Sequence, residues 1–343
     1  MRRPGQAGGA KLAHGILRPV GRTAGLRAGL GGMTGGRIEK VPEIKRFPYT
    51  PILGWSASRY DLFSICKRRY FYHYYAKYDQ ELPTRLIQQH KDLVSIPLEI
   101  GGIVHKVIEV LLNRLRTTTQ AIDRPKFFDF AQRTTEHRVR TATFDEQIYG
   151  VIPEVTAGDL LPKIEASLGN LLESERLAWL TEQAADHGEA WIIDPPGYGE
   201  TRLGDLKVYC KVDFLFPSGQ DYVILDWKTG KVVPDKHRKQ LMGYATWATY
   251  HFETQPSNVR PAIAYLLPGY EEVKETFNSF DLEHFAIQVR AETQEMYEYC
   301  RDIGQNIPLD KEEFPLVDDQ RICSVCNFRG LCYPDLYQAN FDH

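Results

Sequence analysis

The most constraining stretch of this chain is the run from Lys207 to Lys231, KVYCKVDFLFPSGQDYVILDWKTGK. It holds two short apolar segments rich in β-branched and aromatic residues, Lys207 to Phe216 and Tyr222 to Asp226, which is how buried strands read. Side chains alternate across a strand, so Asp226 and Lys228 leave the sheet on the same side, a carboxylate beside an ammonium. Asp213 stands 13 residues before Asp226 on the first segment. Two carboxylates and a lysine at neighbouring strand ends suit a hard divalent cation and an activated water. The same residues equally describe an ordinary salt bridge at the mouth of a strand.

The flanking segments decide the fold class. Upstream, Trp191-Ile-Ile begins the strand pattern; downstream, HRKQLMGYATWATYHF reads as an amphipathic helix with Gln240 and Tyr244 four apart on one face. A further strand, PAIAYLL (261–267), precedes VKETFNSF, and a last long helix spans 282–303. Strands, then a helix, then a strand argue for an α/β core built on a mixed sheet flanked by helices. Residues 117–190 show helix-period apolar spacing without a catalytic pattern and read as a helical insertion. A helix is expected after Gly101–Gly102, with Ile103, Val107, Val110, Leu111 and Leu115 on its buried stripe. On it His105 and Glu109 share a face, where a histidine is ordinarily a satisfied core residue.

Further upstream, Ser56 or Ser58 can cap one helix through RYDLFSICKRRYFYHYYAKY. Its cations alternate with rings, which suits either a single-strand channel or a helix with aromatics in the core and cations in solvent. The core reading fits most of the rings; for Arg68 and Arg69 both stand. Charge narrows the partners. Residues 1–38 carry seven basic residues and no acid, while the remainder sets 45 acids against 35 bases. So acidic a body binds nucleic acid only through a local basic groove. The Gly- and Arg-rich leader, 1–47, lacks the apolar core of a secretory signal and reads as a disordered tail, or as preceding a true start at Met33. Order is expected from Pro48. No run of apolar residues is long enough to span a bilayer, no Walker A loop occurs, and a cytoplasmic protein is expected.

The tail is the densest signal. Cys323, Cys326 and Cys332 form C-x2-C-x5-C, three of the six cysteines of the chain. Thiolates so concentrated bind a soft metal centre, and a fourth ligand is open among Cys66, Cys210 and Cys300. A set completed by Cys66 suits zinc or a 4Fe–4S cluster. Nothing marks the chain as secreted, so disulfides are not expected.

One early cysteine, then His105, Asp213, Asp226-x-Lys228 and Gln240-xxx-Tyr244, then the three late cysteines, resembles the PD-(D/E)XK nuclease superfamily. The order is similar to its RecB-like, AddB-like iron–sulfur branch and to CRISPR-associated iron–sulfur exonucleases, over roughly residues 55–335. The resemblance implies a restriction-endonuclease-like core over 191–304, N-terminal helices over 48–116 carrying the first cluster cysteine, and an iron–sulfur region over 305–343. It implies Mg2+ or Mn2+ held by His105, Asp213, Asp226 and the Trp227 carbonyl. Lys228 would position or deprotonate the attacking water, and Gln240 and Tyr244 would contact substrate phosphate or orient the lysine. Cys66, Cys323, Cys326 and Cys332 would hold a structural 4Fe–4S cluster, and Arg68, Arg69 and Tyr244 would meet DNA. Lys67 departs from the proline that many members carry after the first cysteine. The implied activity is hydrolysis of DNA phosphodiester bonds, as a single-strand exonuclease of repair, recombination or CRISPR-type processing, beside a separate helicase or CRISPR-associated partner. Two alternatives come from other classes: a non-catalytic iron–sulfur DNA-binding subunit of a helicase–nuclease complex, and a redox iron–sulfur protein.

Overall fold

The computed structural model describes residues 43–118, 120–195 and 199–341, all within one compact unit, Arg37–His343. The leader expected over 1–47 lies outside the described residues except for 43–47. That short piece is irregular chain, tied down where the Lys45 amide donates to His251 Nε2 at 2.7 Å.

The aromatic segment forms two helices, not one: α1 (Ala57–Ile65) and α2 (Lys67–Tyr75). Ser56 caps the first, its Oγ accepting the Arg59 amide. Cys66 breaks the run by adopting extended backbone, φ −157° and ψ 115°, and its sulfur accepts the Arg69 amide at 3.4 Å as the cap of α2. Phe63, Tyr70, Phe71, Tyr72 and Tyr75 are buried, so these rings are core. After α3 (Thr84–Lys91) comes α4 (Ile96–Leu115), which begins before the glycine pair and not after it. Pro97 suits a first helical turn, where its missing N–H costs nothing. Ile103, Val107, Leu111 and Leu115 are buried as expected, whereas Val110 is 37 % exposed because it falls off the stripe.

The segment between α4 and the sheet is helical: α5 (Arg124–Thr141), α6 (Asp145–Ile148), α7 (Ala157–Leu172) and α8 (Glu175–His187). The strands follow as β1 (Ile192–Ile193), β2 (Gly199–Leu203), β3 (Leu206–Cys210), β4 (Phe214–Ser218) and β5 (Asp221–Lys228). The run Lys207 to Phe216 is thus two strands. It breaks at Lys211–Asp213, and the halves join different sheets. Helix α9 (Pro234–Phe252) crosses from β5 to its parallel neighbour β6 (Val259–Tyr265), and β7 (Glu271–Lys274) closes the edge. The main sheet has the order β1-β4-β5-β6-β7 and is mixed, with β5–β6 parallel and its other pairings antiparallel. Helix α10 (Ser279–Tyr297) ends before Cys300, which lies instead in β8 (Cys300–Asp302), paired with β9 (Ile307–Pro308). The short helices α11 (Gln320–Ser324) and α12 (Arg329–Cys332) carry the late cysteines. Among the described residues no helix is long and apolar enough to cross a membrane.

The period of β5 organises the core. Leu225 and Trp227 pack with α4, α5, α7 and α8, while Ile224 packs with Leu241, Tyr244 and Ala248 of α9 on the opposite face. Asp226 and Lys228 share the α9 side, and the Trp227 side chain points toward α4. The end of β5 therefore lies between two helices, one on each face.

The C-terminal region is fastened to the N-terminal helices by side chains. Arg68 Nε donates to the Phe314 carbonyl at 2.9 Å, and the Tyr72 and Phe328 rings lie 5.4 Å apart. Buried Arg329 makes a two-pronged pair with Asp145, at 2.9 and 2.8 Å, with its guanidinium 3.4 Å from the Tyr149 ring centroid.

Candidate active site

A cavity of about 660 Å3 opens where α4 passes the ends of β1 and β5. His105, Asp213, Trp227 and Lys228 all line it. His105 Nδ1 lies 3.3 Å from Asp213 Oδ2, and its Nε2 lies 2.7 Å from the Trp227 carbonyl. The Trp227 amide donates to Asp213 Oδ2 at 3.1 Å. Helix α4, the β3–β4 connection and β5 thus converge through two side chains, His105 and Asp213, and the Trp227 backbone. His105 is no ordinary core histidine.

Asp226 is almost wholly enclosed, 2 % exposed. Its Oδ1 accepts from the Tyr244 hydroxyl at 2.5 Å and from Gln240 Nε2 at 2.9 Å, and Gln240 also donates to Tyr244 at 2.6 Å. Its Oδ2 is ion-paired with the Lys228 ammonium yet accepts no hydrogen bond among the described residues. The Gln240 and Tyr244 contacts of α9 run to Asp226, the ion-pair partner of Lys228. Tyr244 is 1 % exposed, and its hydroxyl is bound to the Asp226 carboxylate.

The electrostatics separate the two carboxyls. Burial raises Asp226, and the Asp213 charge raises it further, more than Lys228 and Tyr244 offset. Burial would raise Asp213 too, but the hydrogen bond and charge of His105, with Lys228, hold it below the usual carboxylate range. Burial would depress His105, yet Asp213 and Asp226 outweigh it and the imidazole titrates above its ordinary value. Carboxyls pushed apart in this way mark a site built for chemistry.

Among the described residues no group of three or more His, Cys, Asp or Glu side chains is gathered closely enough to hold a metal ion. The donor set nevertheless suits one. Asp213, His105 and the Trp227 carbonyl meet at the cavity, with Asp226 buried beside Lys228, and together they offer three hard oxygens and one imidazole.

The cysteines separate into groups. Cys66, Cys323, Cys326 and Cys332 line one small cavity beside Arg69. Cys210 ends β3, and Cys300 lies against Tyr75 and Met296. All six are free thiols. Burial and their neighbours' charges raise Cys323 and Cys326, and push Cys332 up to about 12. Adjacent buried thiolates repel unless a cation sits among them. Arg69 borders this second cavity, and Arg68 is committed to the Phe314 carbonyl. Neither lines the cavity of Asp213 and Lys228.

Sequence reasoning passed over Lys106, Asp194 and Lys211, which line the same cavity as His105. The available signal was adjacency, since Lys106 follows His105 and Lys211 stands two before Asp213.

A family model described as the PD-(D/E)XK nuclease superfamily matches residues 54–333. No curated protein matches the chain. Among solved structures, one described as "Crystal structure of SSO0001" is 16 % identical, with a TM-score of 0.27, covering 58 % of this chain and 81 % of that one.

Proposed function

Because the chain belongs to the PD-(D/E)XK nuclease superfamily, and so is a metal-dependent phosphodiester hydrolase in general outline, we propose that it is a deoxyribonuclease acting as a single-strand exonuclease. The observation that carries the reading is that His105, Asp213, Trp227 and Lys228 line one open cavity, with Asp226 buried beside Lys228 and ion-paired to it. Asp213, Asp226, His105 and the Trp227 carbonyl would hold Mg2+ or Mn2+. Such an ion lowers the pKa of bound water and offsets charge on the transferring phosphoryl group. The chain's own residues do the rest. Lys228, at the cavity surface, orients the attacking water and faces the developing negative charge. Gln240 and Tyr244 fix one oxygen of Asp226, leaving the other to Lys228. DNA repair or recombination, with a separate helicase or a CRISPR-associated protein as partner, is the setting this activity suits.

We read the four clustered thiols as ligands of a structural 4Fe–4S centre. Four thiols on one cavity wall are the ligand type and number of a soft metal centre. The cavity measures about 20 Å3, so a cluster requires the thiols to move outward. A cluster here would join α2 to the C-terminal helices, which already meet through Arg68 and Tyr72.

The test is an anaerobic assay of the wild type and Asp226→Ala on 5′- and 3′-labelled single strands with Mg2+ or Mn2+. Stepwise release from one end by the wild type, lost in the variant, is expected. Undiminished cleavage by the variant sinks the site, internal cuts sink the exonuclease reading, and no cleavage by either favours a DNA-binding subunit. Iron and acid-labile sulfide should be present in the wild type and lost in Cys66→Ala; zinc in their place corrects the centre, and full iron in the variant removes Cys66 from it.

A further inference from the structure

The cavity extends beyond the groups already assigned. Past His105 along the same wall lie Lys106 and Glu109 of α4, and beside Asp213 lie Asp194 and Lys211. Lys106 Nζ pairs with Glu109 at 2.8 Å, and Lys211 Nζ with Asp194 at 3.0 Å. Both lysine side chains remain just over half exposed, at 55 % and 53 %. Lys106 is rooted on α4 and Lys211 in the β3–β4 connection, and each pairs with a neighbouring carboxylate at the cavity.

Asp194 is the unusual member. Its φ of +35° lies in the left-handed region, which a non-glycine residue occupies at a cost. The conformation lets its amide donate to the Asp213 carbonyl at 2.8 Å while its carboxylate holds Lys211. A single strained residue therefore sets both the reactive aspartate and the nearby lysine. An ordinary surface salt bridge needs no such backbone.

Resting on the nuclease reading above, we infer that Lys106 and Lys211 form a second phosphate subsite, which takes the backbone phosphodiester next to the scissile one. The cavity wall also carries Glu109, Asp194 and Asp213, so a polyanion entering without these two cations meets net repulsion. A strand held at both phosphates is fixed in register, with the scissile group against Asp213 and Lys228.

The experiment measures binding of a fluorescent oligodeoxynucleotide to the whole protein in EDTA across a salt series, and kcat and KM with Mn2+. Lys106→Ala and Lys211→Ala are each expected to weaken binding and raise KM roughly tenfold, as for loss of a hydrogen bond to a charged group, with a far smaller change in kcat. Each is also expected to reduce the slope of log K against log salt by about 0.7. Lys163→Ala, which removes an exposed charge outside the cavity, is the control and changes neither. Neutralising the neighbouring phosphate as a methylphosphonate should reproduce the lysine loss and add little to it. Wild-type cleavage with unchanged KM and salt slope in both lysine variants overturns the inference and leaves the nuclease reading standing. Lysine-dependent binding without cleavage sinks the nuclease reading and leaves the subsite standing. Absence of binding by the wild type overturns the subsite.

Discussion

Removal of the Tyr244 hydroxyl tests the site at its least exposed point. In Tyr244→Phe the ring stays and Asp226 Oδ1 loses a 2.5 Å donor, while Gln240 Nε2 remains at 2.9 Å. A hydrogen bond to a charged group is worth about 1.5–3 kcal/mol, and with Gln240 still present we expect the lower end, about 1.5 kcal/mol. That corresponds to about one pH unit in the Asp226 carboxyl. Burial and the Asp213 charge already place the folded carboxyl above its unfolded value, so stability falls as pH rises through that interval. Loss of the donor raises the folded pKa further. The deficit is therefore full where the carboxylate is ionised and shrinks where it is protonated in both states. Urea unfolding in EDTA at about pH 8 and at a markedly more acid pH should show a deficit near 1.5 kcal/mol at the higher pH and a smaller one at the lower. An equal deficit at both values, or none at the higher, refutes the role given to Tyr244.

Three further outcomes rest on other parts of the molecule. Gly102→Ala should stabilise by about 1 kcal/mol in the same assay, because an added Cβ meets nothing within 4 Å and alanine is the better helix former; destabilisation contradicts the described packing of α4. Glu272, bound by Arg176 at 2.6 and 2.8 Å and 7 % exposed, is held down to about 2 against burial. Its folded pKa is depressed, so its contribution is present above an unfolded value of about 4.5 and is lost as pH falls toward 2; Glu272→Gln should cost about 1–2 kcal/mol at neutral pH and nothing at the acid end, and a pH-independent cost refutes the pairing. Arg329→Met breaks a buried pair and leaves Asp145 facing an apolar wall, which should cost about 3–5 kcal/mol, partly restored by adding Asp145→Asn; no loss in the single variant contradicts the fastening of the C-terminal region.

The sequence by itself determined the strand β5, the placing of Asp226 and Lys228 on one side of it, and the α9 spacing that brings Gln240 and Tyr244 together. Those are local consequences of period 2 and period 3.6, so they survive without knowledge of the fold. It also marked the late cysteines and the helical stretch over 117–190. The break at Cys66 was not legible, because nothing in a continuous run of helix-compatible residues announces one residue in extended backbone. Nor was the division of Lys207–Phe216 between two sheets, since both halves read equally as strand. Tertiary structure alone decided three matters. It turned Tyr244 inward to Asp226, where a sequence spacing says which residues share a face but not what that face meets. It set His105 between Asp213 and the Trp227 carbonyl, which needs α4 laid across the end of β5, contacts more than a hundred residues apart. And it placed Asp194 in a left-handed conformation beside Lys211, a choice made by the chains packed around it and one that no residue preference foretells.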